Sequence, residues 1–220
     1  MGRKLFREAE ELGAWGQLAQ GRSPERFERG APIYTPDQAA QDVLLLSTGQ
    51  VGLFLSGPED RTLMLREVEP GQLFGHMALT GDETYDTHAE ALAPALLYRI
   101  PHSDAVELMG QDPDLALALL DDVGHHRAAV SRRLDDIGFK SVPARLASVL
   151  LDMAGKSHGN SPHPRLPRRS HRQLAEMVNA YRETVTKIIN QFRAARLLEI
   201  DRATITLLNR TVLEELAQGY

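Results

Sequence analysis

The chain has 220 residues, a formal net charge of −5, 42% hydrophobic residues and no cysteine. The lack of thiols excludes disulfides, a cysteine-ligated iron–sulfur cluster, thiol redox sensing and a thiolate nucleophile. No run reaches the roughly 18 apolar residues of a membrane-spanning helix, so two soluble domains in the cytoplasm are expected.

Residues 3–20 set Leu5, Phe6, Ala9, Leu12, Trp15 and Leu18 among charges, as one or two capping helices would. The opening MGRKLFREAEEL is amphipathic and acidic, unlike a signal peptide. From Phe27 the period changes. FERGAPIY, VLLLSTGQVGLFLSG, RTLMLREVEPGQLFG and THAEALAPALLYRIP are β-rich runs, punctuated by Gly30, Gly49, Gly57, Gly71, Gly75 and Gly81. Short strands between regular turn signals predict a small β-barrel with a cavity.

A long helix is predicted from Asp114 to about Gly138. Along it Leu120, Val123, Arg127, Val130, Leu134 and Ile137 recur at alternating spacings of three and four. Such a heptad seam predicts a partner helix, and hence a dimer. Arg127 within that seam requires a partner such as Asp122, or a ligand. Ser141-Val142-Pro143 breaks the helix, which places the hinge at Gly138–Pro143. The expected divisions are therefore 1–113, 114–138 and 139–220. Residues 143–155 form an amphipathic helix with Leu146, Val149, Leu150 and Met153 inward, and 156–169 a loop.

HRQLAEMVNAYRETVTKIINQFR, from His171 to Arg193, reads as two short helices bent at Asn179. Leu174, Met177 and Val178 form one stripe, Ser170 is an N-cap, and Asn179 tolerates a positive φ. The second helix buries Val185, Ile188, Ile189 and Phe192 and presents Arg182, Glu183, Thr186, Lys187 and Asn190. Forked donors, an acceptor and a charge on one helix suit base edges and phosphates. An ordinary helical hairpin with a solvated face has the same periodicity. Two features favour DNA binding over it. EIDRATITLLN reads as the hairpin wing of a winged helix. Residues 138–220 hold 13 Lys/Arg against 7 Asp/Glu, whereas 1–137 hold 12 against 23, a basic module on an acidic chain.

GAPIYTPDQAAQDVLLLSTGQVGLF, EPGQLFGHMAL, VPARLASVLLDMA and RETVTKIINQFRAARLLEI together resemble the cyclic-AMP receptor protein/FNR family of bacterial transcription regulators. The resemblance runs collinearly from about Phe27 to Leu216. It implies an α+β chain: an N-terminal β-roll or jelly-roll barrel like a cyclic-nucleotide-binding domain, a long dimerisation helix and a C-terminal winged helix-turn-helix. It also implies a homodimer on two-fold-symmetric double-stranded DNA, with recognition helices about 34 Å apart. Arg182, Glu183 and Lys187 match the family's base-contacting positions, with Thr184 and Thr186 beside them. His171 and Arg172 are expected on phosphates, and Tyr181 on the backbone or the turn, in place of a Ser or Thr cap. Loop 156–169 corresponds to a contact with RNA polymerase, as an activator would use.

The effector region of the resemblance comprises Gly75, His76, Met77, Ala78, Tyr85, Arg127, Val130 and Ser131. His76 stands where cyclic-nucleotide members carry a Glu for the ribose. Tyr85-Asp86-Thr87 replaces the Arg-Ser pair for the cyclic phosphate, and one of two base-facing hydroxyl residues is Val130. Without a cation a cyclic phosphate lacks compensation, so cyclic AMP is not expected as a cofactor. Effector independence ranks first, a different ligand second, haem or a metal at histidines third. No nucleotide loop, nucleophile elbow or zinc-hydrolase motif marks an enzyme.

Overall fold

A computed structural model describes Leu12 and residues 15–57, 62–80, 83–158 and 161–219, with side chains for all but 156–158. Leu5, Phe6, Ala9 and Gly81 of the sequence reading lie outside the described residues. The chain divides into two compact units, one ending at Val130 and one beginning at Ser131, residues 61–64 excepted.

The first unit is built on antiparallel strands β1 (Glu25–Phe27), β2 (Pro32–Tyr34), β3 (Asp42–Ser56), β4 (Thr62–Val68), β5 (Leu73–Phe74) and β6 (His88–Pro101). The sheet order is β1-β6-β3-β4, with β2 also on β6 and β5 also on β3. Long β3 and β6 pair from Asp42↔Pro101 to Phe54↔His88, with register shifts between Leu46 and Val51. Gly49 sits in that irregular stretch at φ +93°, where an added Cβ would stand 2.3 Å from the Pro94 carbonyl oxygen. Only glycine fits there.

Val43–Leu46 is a continuous apolar run because both faces of β3 are covered. Leu44 and Leu46 pack inside the roll with Tyr34, Leu53, Phe74 and Leu97. Val43 and Leu45 pack outside it with Trp15, Leu18, Tyr98, Ala105 and Leu115. That outer layer comes from α1 (Gly16–Ala19), α2 (His102–Gln111) and the start of α3 (Pro113–Phe139). Each such burial stabilises the fold by about 1.5–3 kcal/mol. The sequence reading missed α2. In it, Ala105 is the only fully buried residue, so its apolar stripe is faint.

The second unit adds α4 (Val142–His158), β7 (Arg165–Pro167), α5 (His171–Val178), α6 (Arg182–Ala194), β8 (Leu198–Ile200), β9 (Thr204–Leu207) and α7 (Arg210–Gln218). Two corrections concern the expected 156–169 loop: α4 continues to His158, and 165–167 form a strand in the sheet β7-β9-β8. Leu166 is fully buried in that strand. Pro167, which has no N–H to donate, ends it. Only Lys140 and Ser141 separate α3 from α4.

The local signals of the helix-turn-helix are realised. Ser170 Oγ accepts from Gln173 N at 3.2 Å, and Gln173 Oε1 accepts from Ser170 N at 2.9 Å, a complete capping box. Asn179 ends α5 in the left-handed region at φ 49°. In the wing, Asp201 accepts from Ala203 N, Thr204 N and Thr204 Oγ1 at 2.7–2.8 Å, which closes the β8–β9 turn.

Candidate nucleic-acid interface

α6 buries Val185, Ile188, Ile189 and Phe192 and leaves Arg182, Glu183, Thr184, Lys187 and Asn190 exposed. Glu183 in the first turn suits the positive end of the helix dipole. Tyr181, at the N-cap, makes no side-chain capping bond and is 51% exposed. Thr186 is already engaged. Its hydroxyl donates to Arg182 O at 2.9 Å and stands 2.8 Å from His171 Nδ1. With the hydroxyl proton committed, Nδ1 is the donor, so neutral His171 has its Nε2 lone pair free of that bond. Burial, then Arg182 and Arg168, hold the His171 pKa below its ordinary value. Arg172 is largely exposed and pairs with Glu176 at 3.0 Å.

The sequence reading overlooked the arginines between β7 and the Ser170 cap. Arg168 and Arg169 line a hollow of about 270 Å³ with Ser170, His171, Arg172 and Arg182. A second hollow of about 400 Å³ joins Arg168 and His171 to Asn190, Arg193, Asp201 and Arg202. Arg168 is held to the wing by Nη1 on Asp201 O at 3.1 Å and by its N–H on Ala203 O at 2.9 Å. The signal was the Arg-Arg pair ahead of Ser170. Clustered guanidiniums beside a helix start form an anion-binding surface.

In the roll, the effector-region residues separate. Gly75 has φ +76°, and a Cβ there would meet Leu44 at 2.9 Å. Ala78 is buried, and its carbonyl accepts from His102 Nδ1 at 2.7 Å. Met77 is half-buried. Tyr85 belongs to the core: its ring stacks on Tyr34 with centroids 3.9 Å apart, and its hydroxyl donates to Asp42 O at 2.8 Å. Burial pushes both phenols above their ordinary pKa. His76 faces α3, where its Nε2 lies 2.9 Å from Asp122 Oδ2 and its ring 6.0 Å from that of His126. Arg66 acts electrostatically on Asp122 and His126. The fold thus brings a cation to Asp122 and His126, the two residues His76 meets on α3, although the sequence has no Lys or Arg between Arg66 and Arg99. Burial, then Arg66 and His76, hold His126 below its ordinary pKa, against Asp86 and Asp122.

Arg127 is exposed in the single chain, and Asp122 pairs with His76 rather than with it. Five residues on a helix separate side chains by about 140°, whereas Asp122 and His126 share a face. His125 is exposed and pairs with Asp121. Among the described residues no group of three or more His, Asp or Glu is placed to hold a metal ion.

Further along α3, Leu120 is 68%, Val123 40% and Leu134 65% exposed. Val130 and Ile137 are half-buried, and Ser131 is exposed. Leu117 and Phe139 add 63% and 67% exposed apolar side chains to the same helix.

Comparison with known proteins gives two matches that together span most of the chain. Residues 24–112 match the cyclic nucleotide-binding domain and residues 144–216 the Crp-like helix-turn-helix domain. A global nitrogen regulator of Synechococcus elongatus is 28% identical over 209 residues, covering 90% of this chain and 93% of its own. A cyclic AMP receptor protein of Thermus thermophilus is 27% identical over 195 residues, covering 88% and 87%. The crystal structure of a CRP/FNR-family transcriptional regulator, also from Thermus thermophilus, superposes with a TM-score of 0.73 at 28% identity, covering 90% of this chain and 99% of that one.

Proposed function

Because the chain belongs to the cyclic-AMP receptor protein/FNR family of transcription regulators, with a helix-turn-helix DNA-binding domain, we propose that it acts as a cytoplasmic homodimer. The dimer reads a two-fold-symmetric DNA site without cyclic AMP and activates transcription by touching RNA polymerase. The observation that carries the reading is α6, whose Arg182, Glu183, Thr184 and Lys187 are all exposed above a buried apolar face. Arg182 forks onto a guanine edge, Glu183 accepts from a cytosine amino group and Lys187 reaches guanine or phosphate. Thr184 and Thr186 border them. His171, Arg172 and the flanking arginines take phosphates, and Tyr181 lies against the backbone.

Dimerisation is supported by the exposed seam of Leu120, Val123 and Leu134, with Arg127, Val130 and Ile137 completing it on a partner's α3. Cyclic-AMP independence is supported by the roll's own interior. Tyr34, Phe74 and Tyr85 fill it, and Asp86 takes the place of a phosphate-binding cation. Selection from a random-sequence pool at fixed salt tests the whole reading. A symmetric site recovered without any addition supports it, whereas a site recovered only with cyclic AMP contradicts it. The polymerase contact is assigned to the 156–169 segment and fails if replacing that segment leaves transcription in a purified system unchanged.

One observation favours a second reading, gating by a different small ligand. Arg66 Nε and His126 Nδ1 are buried and make no hydrogen bond among the described residues. They lie in the cluster around His76, where a small anion would be held by charge-assisted bonds.

A further inference from the structure

Arg145 stands in the first turn of α4 with only 8% of its surface exposed. Its Nε donates to Val178 O at 2.9 Å and its Nη1 to Lys140 O at 3.0 Å. Longer contacts reach Ile137 O at 3.4 Å and Asn179 O at 3.5 Å. Ile137 and Lys140 lie at the end of α3, Val178 and Asn179 at the end of α5. One guanidinium therefore serves the orphan carbonyls of two helix C-termini, where the backbone dipoles also favour a cation.

Nothing local keeps an arginine there. A cation in the first turn of α4 opposes that helix's own dipole, and burial pulls the guanidinium below its ordinary pKa, with Asp136 opposing. What suits the position is the planar fork, whose fixed donors point in two directions at once. Lys140 reinforces the same elbow, with Nζ 2.9 Å from Asp136 and 3.1 Å from Ser148 Oγ. The stretch where the sequence places the hinge is therefore tied on both sides.

We propose that Arg145 is a positioning residue for DNA recognition: it locks the end of α3 to the turn of the helix-turn-helix. The last turns of α3, with α4 and α6, then move as one rigid piece, and the recognition helix keeps a fixed angle to that end of α3. The inference rests on the homodimer reading, because that angle matters only when two recognition helices must meet two half-sites at once.

The test uses the full chain, wild type and as R145K and R145Q. Each is titrated against duplexes carrying two selected half-sites whose separation varies in single base-pair steps, and against one half-site alone. Thermal unfolding reports whether each variant folds. Wild type favours one separation by about tenfold or more. R145Q flattens that preference to about threefold or less while keeping its base preferences within a half-site. R145K falls between, since an ammonium reaches the carbonyls of only one helix end; it carries the test if R145Q does not fold. A sharp preference retained by both variants overturns the role of Arg145 alone, as does a uniform loss of affinity at every separation. A wild type with no spacing preference overturns the dimer reading, and this inference with it.

Discussion

Two arginine–histidine clusters use nearly the same side chains to opposite ends. At the DNA-facing unit, Arg168, Arg169, Arg172 and Arg182 surround His171, and no carboxylate lines their hollow. Within the roll unit, Arg66 and His126 are joined by His76, Asp122 and Asp86. Both His171 and His126 are held below their ordinary pKa by burial and neighbouring cations. In the first cluster four arginines outnumber the one carboxylate, Glu176, that pairs with Arg172; in the second the fold supplies Asp122 and Asp86. An open set with cations in excess is a surface for a polyanion, and a set with its own carboxylates ties the roll to α3.

Salt gives the largest expected contrast. Raising monovalent salt from 50 to 200 mM should weaken binding to the selected duplex by about 10³-fold or more, as for a protein neutralising roughly 6–10 phosphates. The unfolding temperature should barely move, because buried pairs are screened little. A flat affinity across that range breaks the comparison. Next, Arg182→Ala should cost about 1–3 kcal/mol per half-site and relax preference at one base pair, read by competition among site variants. Arg66→Met should leave base preferences unchanged. An equal loss on every sequence would make Arg182 a phosphate contact only.

Removing a carboxylate separates the clusters in stability. Asp122→Ala leaves His76 without its hydrogen-bond partner and Arg66 without a nearby carboxylate, and should destabilise the protein by about 1–3 kcal/mol in urea unfolding. Glu176→Ala deletes only a surface pair with Arg172 and should change stability by less than about 0.5 kcal/mol. Equal losses would mean the roll cluster ties nothing.

The smallest effects are in pH, with opposite signs. The folded-state pKa of His126 is lowered from 6.5, so the unfolded chain binds more protons near and below that pH. Stability should therefore be lost as pH falls through that window. The unfolding temperature should drop by no more than about 4 °C, a trend that His126→Gln reduces. DNA binding should strengthen on the same acidification, because a phosphate beside His171 favours its protonated form. Linkage limits the gain to about tenfold per pH unit per half-site. His171→Gln should remove it.

The features legible in the sequence are those set by short-range rules. Ser170 and Gln173 make their capping box three residues apart, Asn179 turns because its side chain tolerates a left-handed backbone, and Asp201 closes the wing over two residues. Strand runs and their glycines are equally local. What stayed hidden depends on distant partners. Tyr85 joins the core because Tyr34 offers it a stacking face. Asp122 turns to His76 across 46 residues rather than to Arg127 on its own helix. Arg168 meets the recognition helix only because β7 pairs with β9. α2 and β7 bury too few side chains to leave a clear period.

The most direct measurement is the affinity of the full chain for its selected symmetric duplex at one salt concentration, without and with saturating cyclic AMP. The two affinities should agree within about twofold, since a ligand that does not distinguish the two states shifts nothing. A gain of about tenfold or more with cyclic AMP would contradict it, and would show that the roll around His76 still takes the cyclic nucleotide.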